Sequence, residues 1–218
     1  MLSVVIPALN AAATLGSCIE ALREADEIIV VDGGSGDCTP AIAESSGAHL
    51  VHSARGRGVQ LAAGAAAAKG EWLLFLHADT RLASGWREAA ERHMARAPGK
   101  AACFRFRLDA VERRARLIEA GVALRVRMLS LPYGDQGLLV SRRLYDEAGG
   151  YRPLALMEDV DLVRRIGPRR IERLSVDAVT SAERWRRGGW LRRSGRNLLC
   201  LALYRCGMST ERVARLYG

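Results

Sequence analysis

The chain has 218 residues, a formal net charge of +9 and a hydrophobic content of 49%. A chain of this length and hydrophobicity can bury a full core, which excludes a largely disordered protein. The excess of Lys and Arg indicates anionic partners, and phosphorylated small molecules, nucleic acid and anionic lipid all satisfy that condition. Five scattered cysteines have no CxxC or zinc spacing, which is typical of buried thiols in a reducing compartment.

No apolar stretch predicts export or a membrane span. The run at 2–6 is too short for a secretory signal and leads directly into Pro7. The apolar run at 198–204 is far shorter than the roughly 20 residues that a spanning helix needs. We therefore expect a cytoplasmic protein, whose membrane contact would be peripheral and at the inner face.

The first half of the sequence alternates predicted strands with predicted helices. Strands are predicted at 3–6, 27–32, 48–52 and 71–76, and helices at 11–24, 39–45, 58–69 and 86–95. Asn10 is the expected N-cap of the first helix. This order favours an α/β fold with a parallel sheet.

The second half has a looser pattern. It predicts a strand at 101–108 with one face in water, an amphipathic helix at 112–129, a strand at 138–141, a helix at 157–165 and short strands at 170–174 and 176–179. A basic helical tail follows over 185–218, interrupted at Gly188–Gly189 and Gly207. The sequence shows no repeat and no linker, so a single domain over 1–218 is the simplest division.

Two carboxylates follow predicted parallel strands. Asp32 closes the second strand, and Asp79 follows the fourth in the segment GEWLLFLHADT. Parallel sheets place ligand chemistry at the carboxyl ends of their strands, so one carboxylate could hold a nucleoside and the other a divalent metal. The alternative for Asp79 is a helix cap. His77 is a second candidate for the metal, and its alternative is a hydrogen-bonded wall residue.

A third acidic cluster lies in the segment LMEDVDL, which carries Glu158, Asp159 and Asp161. Acidic residues in a first helical turn are favoured by the helix dipole alone. The functional alternative is a general base that removes a proton from an attacking hydroxyl. The apolar neighbours of the cluster predict partial burial, where adjacent acids are costly unless they are paired or used.

Glycine-rich and basic segments complete the candidates. The loop at 33–36 follows a strand and precedes a helix, where backbone N–H groups often meet phosphate, but no GK[ST] follows it. Six arginines lie between Arg184 and Arg196, interleaved with Trp185 and Trp190. Nucleic acid, an anionic membrane, a departing diphosphate or plain solvent would each suit this segment.

Six segments taken together resemble one family. In order they are VVIPALNAAATL, IIVVDGGSGDCT, GRGVQLAAGAAAAKGEWLLFLHADT, GDQGLLVSRRLYDEAGGY, LMEDVDL and SAERW. They resemble a family 2 glycosyltransferase of the GT-A fold, most closely the short bacterial members with an HADT motif. The resemblance implies a mostly parallel, Rossmann-like sheet flanked by helices, with residues 1–100 as the nucleotide-binding half, 101–180 as the acceptor and catalytic half, and 181–218 as a helical tail.

The resemblance also implies roles for single residues. Asp79 matches the last acid of the DxD motif and would bind metal and diphosphate, whereas His77 replaces its first acid. Asp159 would be the general base, with Glu158 as its orienter or substitute. The other implied contacts are with the donor, from Pro7, Ala8, Leu9, Asn10, Asp32 and Arg57, and with the acceptor, from Asp135, Gln136, Arg184 and Trp185.

The implied reaction is an inverting transfer from a nucleoside diphosphate sugar to a hydroxyl acceptor, assisted by Mg²⁺ or Mn²⁺. Ser181 stands where processive members have glutamine, so we expect single transfers. The basic tail suggests a lipid-linked acceptor at an anionic membrane, and no nucleic-acid partner is expected. Two alternatives remain: a non-catalytic membrane- or nucleic-acid-binding protein, and a sugar-phosphate nucleotidylyltransferase. The second alternative needs a Gly-rich, Arg-containing loop after the first strand, which PALNAAAT lacks.

Overall fold

The computed structural model describes residues 1–217, which form an α/β domain around one eight-stranded sheet. The strands are β1 (Leu2–Ala8), β2 (Glu27–Asp32), β3 (His49–His52), β4 (Trp72–Phe75), β5 (Thr80–Leu82), β6 (Ala101–Asp109), β7 (Leu138–Ser141) and β8 (Ile171–Ser181). The helices are α1 (Ala12–Glu20), α2 (Thr39–Ser45), α3 (Arg57–Ala67), α4 (Trp86–Arg96), α5 (Arg113–Leu129), α6 (Arg142–Glu147), α7 (Glu158–Ile166), α8 (Glu183–Gly188), α9 (Trp190–Arg205) and α10 (Thr210–Tyr217).

The sheet has the strand order β3-β2-β1-β4-β7-β6-β8-β5. Strands β3, β2, β1 and β4 are parallel, which confirms the predicted α/β fold with a parallel sheet in this half of the chain. Strand β7 then runs antiparallel to both β4 and β6, whereas β6 and β8 are parallel. The sheet is therefore mixed, with its parallel half in the first third of the chain.

The central strands are buried on both faces because helices cover both sides of the sheet. Every residue of β1 is buried. Alternate residues point to opposite faces, so Val5 packs into one core with α3 and α7, while Val4 and Ile6 pack into a second core with α1 and α4. A third, smaller core surrounds Phe106 and Trp185.

Several local predictions were wrong. The two short strands at 170–174 and 176–179 are one strand, β8, because both of its halves pair with β6, on either side of a register shift. Strand β5 was missed, since its three residues carry no periodic signal. Strand β6 has one face in water only over its second half: its first four residues are all buried between β7 and β8, and buried and more exposed residues alternate from Arg105 to Asp109.

The first helix differs from its prediction at both ends. It runs from Ala12 to Glu20 and its N-cap is Ala11, so Asn10 is not the cap. Asn10 instead adopts a left-handed conformation with φ of 50°, which asparagine tolerates better than most residues. Its side-chain oxygen accepts a hydrogen bond from the Gly36 backbone N–H at 2.9 Å, and the residue therefore braces the glycine-rich loop.

Residues of the C-terminal tail are buried against the rest of the structure. Helices α8, α9 and α10 are separated at Gly189 and Gly207, which both have positive φ. Cys200, Leu201 and Val213 are buried in the core that also contains α3 and α7. None of the helices in residues 1–217 is both long enough and apolar enough to cross a membrane.

Candidate active site

The candidate site lies at the carboxyl edge of the parallel strands. An inner cavity of about 90 Å³ and an outer cleft of about 650 Å³ meet there, and both are lined by Arg57, His77, Asp79 and Arg184. The cavity is also lined by Asp135, Glu158 and Asp159. The fold therefore brings together acidic residues that are 80 positions apart in the sequence.

The outer cleft contains most of the predicted donor contacts. Pro7, Ala8, Leu9 and Asn10 line it from the end of β1. Arg55 lines it too, and sequence analysis had not singled out this residue. The cleft is a basic, partly apolar space next to a strand edge, which is the arrangement that suits a nucleoside diphosphate.

Asp32 does not line this cleft. It is buried, and its carboxylate accepts hydrogen bonds from the backbone N–H groups of Gly34 at 2.9 Å and Ser35 at 3.0 Å. These hydrogen bonds lower the pKa of Asp32 against the opposing effect of burial, which is the larger single influence. Asp32 therefore holds the glycine-rich loop in place beside the end of β1.

Gln60 was missed by sequence analysis and connects the same strand ends. Its side-chain amide is buried and donates to the carbonyl oxygens of Ala8 at 2.7 Å and Val31 at 2.8 Å. It joins α3 to the carboxyl ends of β1 and β2. The only signal for this role in the sequence is a glutamine within an alanine-rich helix.

Asp79 lies in a turn between β4 and β5. The next helix, α4, begins at Trp86 after Gly85, so Asp79 is not a helix cap. Its Oδ2 atom lies 3.7 Å from Nε of Arg184, and its backbone oxygen accepts from Ser181 N–H. Its Oδ1 atom is buried and has no hydrogen-bond partner within residues 1–217. A buried carboxylate oxygen without a partner suits a bound cation.

His77 packs against Arg57 and Gly134. Nε2 of His77 lies 3.4 Å from Nη1 of Arg57, and a side chain at Gly134 would collide with the imidazole ring. Burial and then the charge of Arg57 lower the pKa of His77 to about 4, although Asp79 opposes them. The ring is therefore neutral at pH 7. Because Nε2 faces a guanidinium, it is a poor position for a metal cation.

Glu158 and Asp159 begin α7 and have different partners. Glu158 is buried and pairs with Arg57, at 3.2 Å between Oε1 and Nε. Asp159 accepts from the backbone N–H groups of Gly134 at 2.8 Å and Val160 at 2.7 Å. Met157, just before them, has a φ of 66°, a strained conformation that clusters at functional sites. Burial raises the pKa of Glu158.

Asp161, the third acid of this cluster, has a structural role. Its carboxylate accepts hydrogen bonds from Arg165, one turn later, at 2.9 and 2.6 Å. It does not line the cavity, so only two of the three acids face the site.

Asp135 and its neighbour Gln136 face different directions. Asp135 lines the cavity, and its Oδ1 atom is buried without a partner among the described residues. Burial, followed by the charges of Asp159 and Asp79, raises the pKa of Asp135 to about 6 against the opposing charge of Arg125. Gln136 does not line the cavity, and its amide donates to the Phe104 carbonyl at 3.2 Å.

The C-terminal helices close the cavity. Arg184 and Trp185 both line it, and Trp185 is buried in the small third core. Arg193 stacks over the Trp185 ring at 5.2 Å and donates to the Tyr217 hydroxyl at 3.1 Å. Sequence analysis had not placed Arg193 or Tyr217 at the site. Aromatic residues between arginines suggested only a general anionic partner.

Residues 3–144 match the sequence profile of glycosyl transferase family 2. The chain belongs to this family. Solved structures agree at the level of fold. Glucosyl-3-phosphoglycerate synthase from Mycobacterium tuberculosis, in complex with Mg²⁺ and uridine diphosphate, superposes with a TM-score of 0.65 at 25% identity, over 95% of this chain and 80% of that one. Mannosyl-3-phosphoglycerate synthase from Rubrobacter xylanophilus gives a TM-score of 0.62 at 18% identity, over 95% of this chain and 75% of that one. The GT-A fold is thus confirmed.

Curated relatives match only a segment. A PGL/p-HBAD biosynthesis glycosyltransferase from Mycobacterium bovis is 37% identical over an alignment of 99 residues, and the match covers 38% of this chain and 36% of the relative. A TPR repeat-containing protein from Synechococcus elongatus is 40% identical over an alignment of 77 residues, and that match covers 31% of this chain and 18% of the relative. The match thus spans about a third, or less, of these relatives' length.

Proposed function

We propose that this member of family 2 is an inverting glycosyltransferase that moves a sugar from a nucleoside diphosphate sugar to a hydroxyl acceptor. One observation carries the proposal: Asp79, which has a buried oxygen without a partner among the described residues, and Asp159, at the start of α7, line the same cavity. A carboxylate that can hold a cation beside the diphosphate, together with a candidate base in the same space, is what a direct displacement requires.

The donor is proposed to bind in the outer cleft with its diphosphate next to Asp79. Residues 7–10 would contact the nucleoside, and Arg57 and Arg184 would lie near the phosphates. Arginine is well suited to phosphate because its planar group donates several hydrogen bonds. Ala214 and Tyr217 of the tail also line this cleft, which supports one domain over 1–218 rather than separable halves.

We propose Asp79 as the metal ligand from the protein. Among residues 1–217 no group of three or more His, Cys, Asp or Glu side chains could hold a metal, so the phosphates would have to supply further ligands, as is common for Mg²⁺. A divalent cation bound there would neutralise charge on the departing diphosphate. We assign His77 to the wall of the cavity because its Nε2 atom faces Arg57.

Asp159 is the proposed general base. Its two oxygens accept backbone hydrogen bonds from Gly134 and Val160, which fix the carboxylate and leave further lone pairs for a hydroxyl. In the displacement, the acceptor oxygen bonds to the anomeric carbon, the bond from that carbon to the phosphate oxygen breaks, and the hydroxyl proton passes to Asp159. The inversion of configuration follows from this single step.

The alternatives lose support. The nucleotidylyltransferase alternative needs a Gly-rich, Arg-containing loop directly after β1, but Leu9, Asn10 and Ala11 are the residues between β1 and α1. A non-catalytic binding protein is disfavoured because Arg184 and Arg193 of the tail line the cavity. A cytoplasmic position at the inner face of the membrane and a lipid-linked acceptor stay predictions.

Asp79→Asn and Asp159→Asn test the proposal. We expect Mn²⁺ and UDP or GDP to raise the melting temperature of the wild-type chain, since ligands that bind the native state stabilise it. Asp79→Asn should lose the metal-dependent part of this shift. Asp159→Asn should keep it and lose donor turnover by about 10²–10⁴-fold. Asp146→Asn, on the exposed side of α6, is the control, and normal metal-dependent binding by Asp79→Asn would contradict the proposal.

A further inference from the structure

A groove opens from the inner cavity, away from the outer cleft. It has a volume of about 710 Å³ and lies between α5 and α9, which is within the range of about 300–1,000 Å³ for small-molecule sites. Its lining is mostly apolar, with side chains from both helices and from β6: Phe106, Leu117, Ile118, Val122, Trp190 and Leu198.

The groove and the inner cavity share four lining residues: Tyr133, Asp135, Trp185 and Asn197. These four residues are called the junction. A molecule in the groove can therefore reach the cavity that contains Asp159. The outer cleft lies elsewhere, since none of its lining residues belongs to the groove.

Every junction residue carries a buried polar atom without a hydrogen-bond partner in the described part of the chain. The four atoms are Oη of Tyr133, Oδ1 of Asp135, Nε1 of Trp185 and Oδ1 of Asn197. Buried polar groups are nearly always paired in folded proteins. Four orphaned donors and acceptors in one place therefore indicate a polar ligand group, and a hydroxyl can both donate to Asp135 and accept from Trp185.

Beyond the junction, the groove has apolar walls and cationic edges. Leu117 and Leu198 line it and are 73% and 60% exposed, so an apolar ligand would remove them from water. Arg114, Arg125 and Arg192 are its charged lining residues besides Asp135. A cationic ligand body would be repelled there, whereas a neutral apolar one would not.

We infer that this groove binds the apolar body of the acceptor, so that the acceptor is an amphiphilic alcohol. Its polar end lies in the junction, from which a hydroxyl can reach Asp159 in the inner cavity, and its alkyl or aryl body lies between α5 and α9. The inference rests on the proposed function and names the acceptor class for the same site. The alcohol could be free in solution or part of a membrane lipid, and the shared chemistry is a hydroxyl on an apolar body.

Alkyl β-glucosides of increasing chain length are the probes. We expect octyl glucoside, below its micellar concentration, to bind the full-length chain at least about tenfold more tightly than butyl glucoside, because each fully buried methylene contributes about 0.8 kcal/mol. Isothermal titration calorimetry measures this difference without any turnover. Equal affinities for the two chain lengths would overturn the inference.

Two glycines provide a matched pair of variants. A Cβ atom added at Gly121 on α5 meets nothing within 4 Å, and Gly121 lines the groove. A Cβ atom added at Gly195 on α9 also meets nothing, but Gly195 does not line the groove. Leucine is a better helix former than glycine, so both variants should fold. Gly121→Leu should weaken octyl glucoside binding at least fivefold, and Gly195→Leu should leave it unchanged.

Further measurements separate this inference from the proposed function. Titration of Mn²⁺ with UDP or GDP tests the donor site alone, so normal nucleotide binding without a chain-length effect would overturn only the acceptor assignment. Light scattering tests whether the groove is an interface between two copies of the chain. A dimer that Gly121→Leu dissociates would overturn the inference of an acceptor site. Octyl glucoside binding in solution that Gly121→Leu weakens supports a free alcohol, and binding that anionic vesicles strengthen and Gly121→Leu weakens supports a membrane lipid. Binding that Gly121→Leu leaves unchanged would overturn the inference.

Discussion

Arg57 and Glu158 form an ion pair in the wall of the cavity, with Nε of Arg57 3.2 Å from Oε1 of Glu158. The pair joins the first residue of α3 to the first residue of α7. Glu158 is only 2% exposed, whereas the Arg57 side chain is 34% exposed. Arg57 therefore has one side held by the buried acid and another side open to the cleft. It links the proposed phosphate contacts with the helix that carries Asp159.

Glu158→Gln tests whether this pair stabilises the fold. The variant keeps the shape of the side chain but removes its charge. Because burial raises the pKa of Glu158, the ionised acid loses more on leaving water than the attraction of Arg57 returns, so we expect the free energy of unfolding at pH 7 to rise by up to about 1 kcal/mol. Urea denaturation measures this change. The control is Glu147→Gln, which breaks an exposed pair with Arg143 and should change little. A loss of stability in Glu158→Gln would show that the ion pair outweighs the burial of Glu158.

Asp135→Asn tests the effect of burial on the Asp135 carboxyl. The pKa of Asp135 rises from 3.8 to about 6 on folding, so the native state holds this proton more tightly than the unfolded state. The contribution of Asp135 to the free energy of unfolding is therefore most favourable at low pH and is lost as pH rises from about 4 to about 6. The asparagine variant has no such dependence.

The stability of Asp135→Asn relative to wild type should thus increase by about 2 kcal/mol between pH 4.5 and pH 7.5. Denaturation of both proteins at the two pH values measures this difference, and groups common to both proteins cancel. A stability difference that is the same at both pH values would show that the Asp135 pKa is not raised.

Gly64→Ala tests the close packing of α3 on the sheet. A Cβ atom at Gly64 would overlap Cγ1 of Val5 and lie 2.8 Å from Cγ2 of Val31. We expect a loss of about 1–3 kcal/mol in the free energy of unfolding from overpacking. Gly16→Ala in α1 is the control, because its nearest contact is Ile42 Cγ2 at 3.8 Å. That variant should be more stable by up to about 1 kcal/mol, since alanine is the better helix former. Thermal and urea denaturation compare both variants.

The parallel half of the fold could be predicted because its signals are local. The apolar run of β4 and the alternation of strands and helices before it fix four parallel strands, and parallel strands put Asp79 at the same edge as residues 7–10. Strand β5 and the continuity of β8 depend on pairing across 100 positions, as between Thr80 and Thr180. Such pairing leaves no periodic pattern in a three-residue strand.

Part of the candidate site could also be predicted, because some of its residues carry local signals. Asp79, Glu158 and Asp159 were marked by their positions next to strands and helix starts. Arg193 and Tyr217 could not be found, because they reach the cavity only after α9 and α10 fold back onto the domain. A basic helix has the same sequence pattern whether it faces solvent, a membrane or an active site.

The sequence by itself therefore determined the family, the fold and the acidic residues at the carboxyl edge of the sheet, since these depend on local patterns and their order. The tertiary structure decided which acids are paired and which are open. Asp32 and Asp161 are satisfied by hydrogen bonds, whereas Asp79 and Asp135 each keep a buried oxygen without a partner in the described chain. Burial and pairing arise from contacts between distant segments, and no local pattern encodes them.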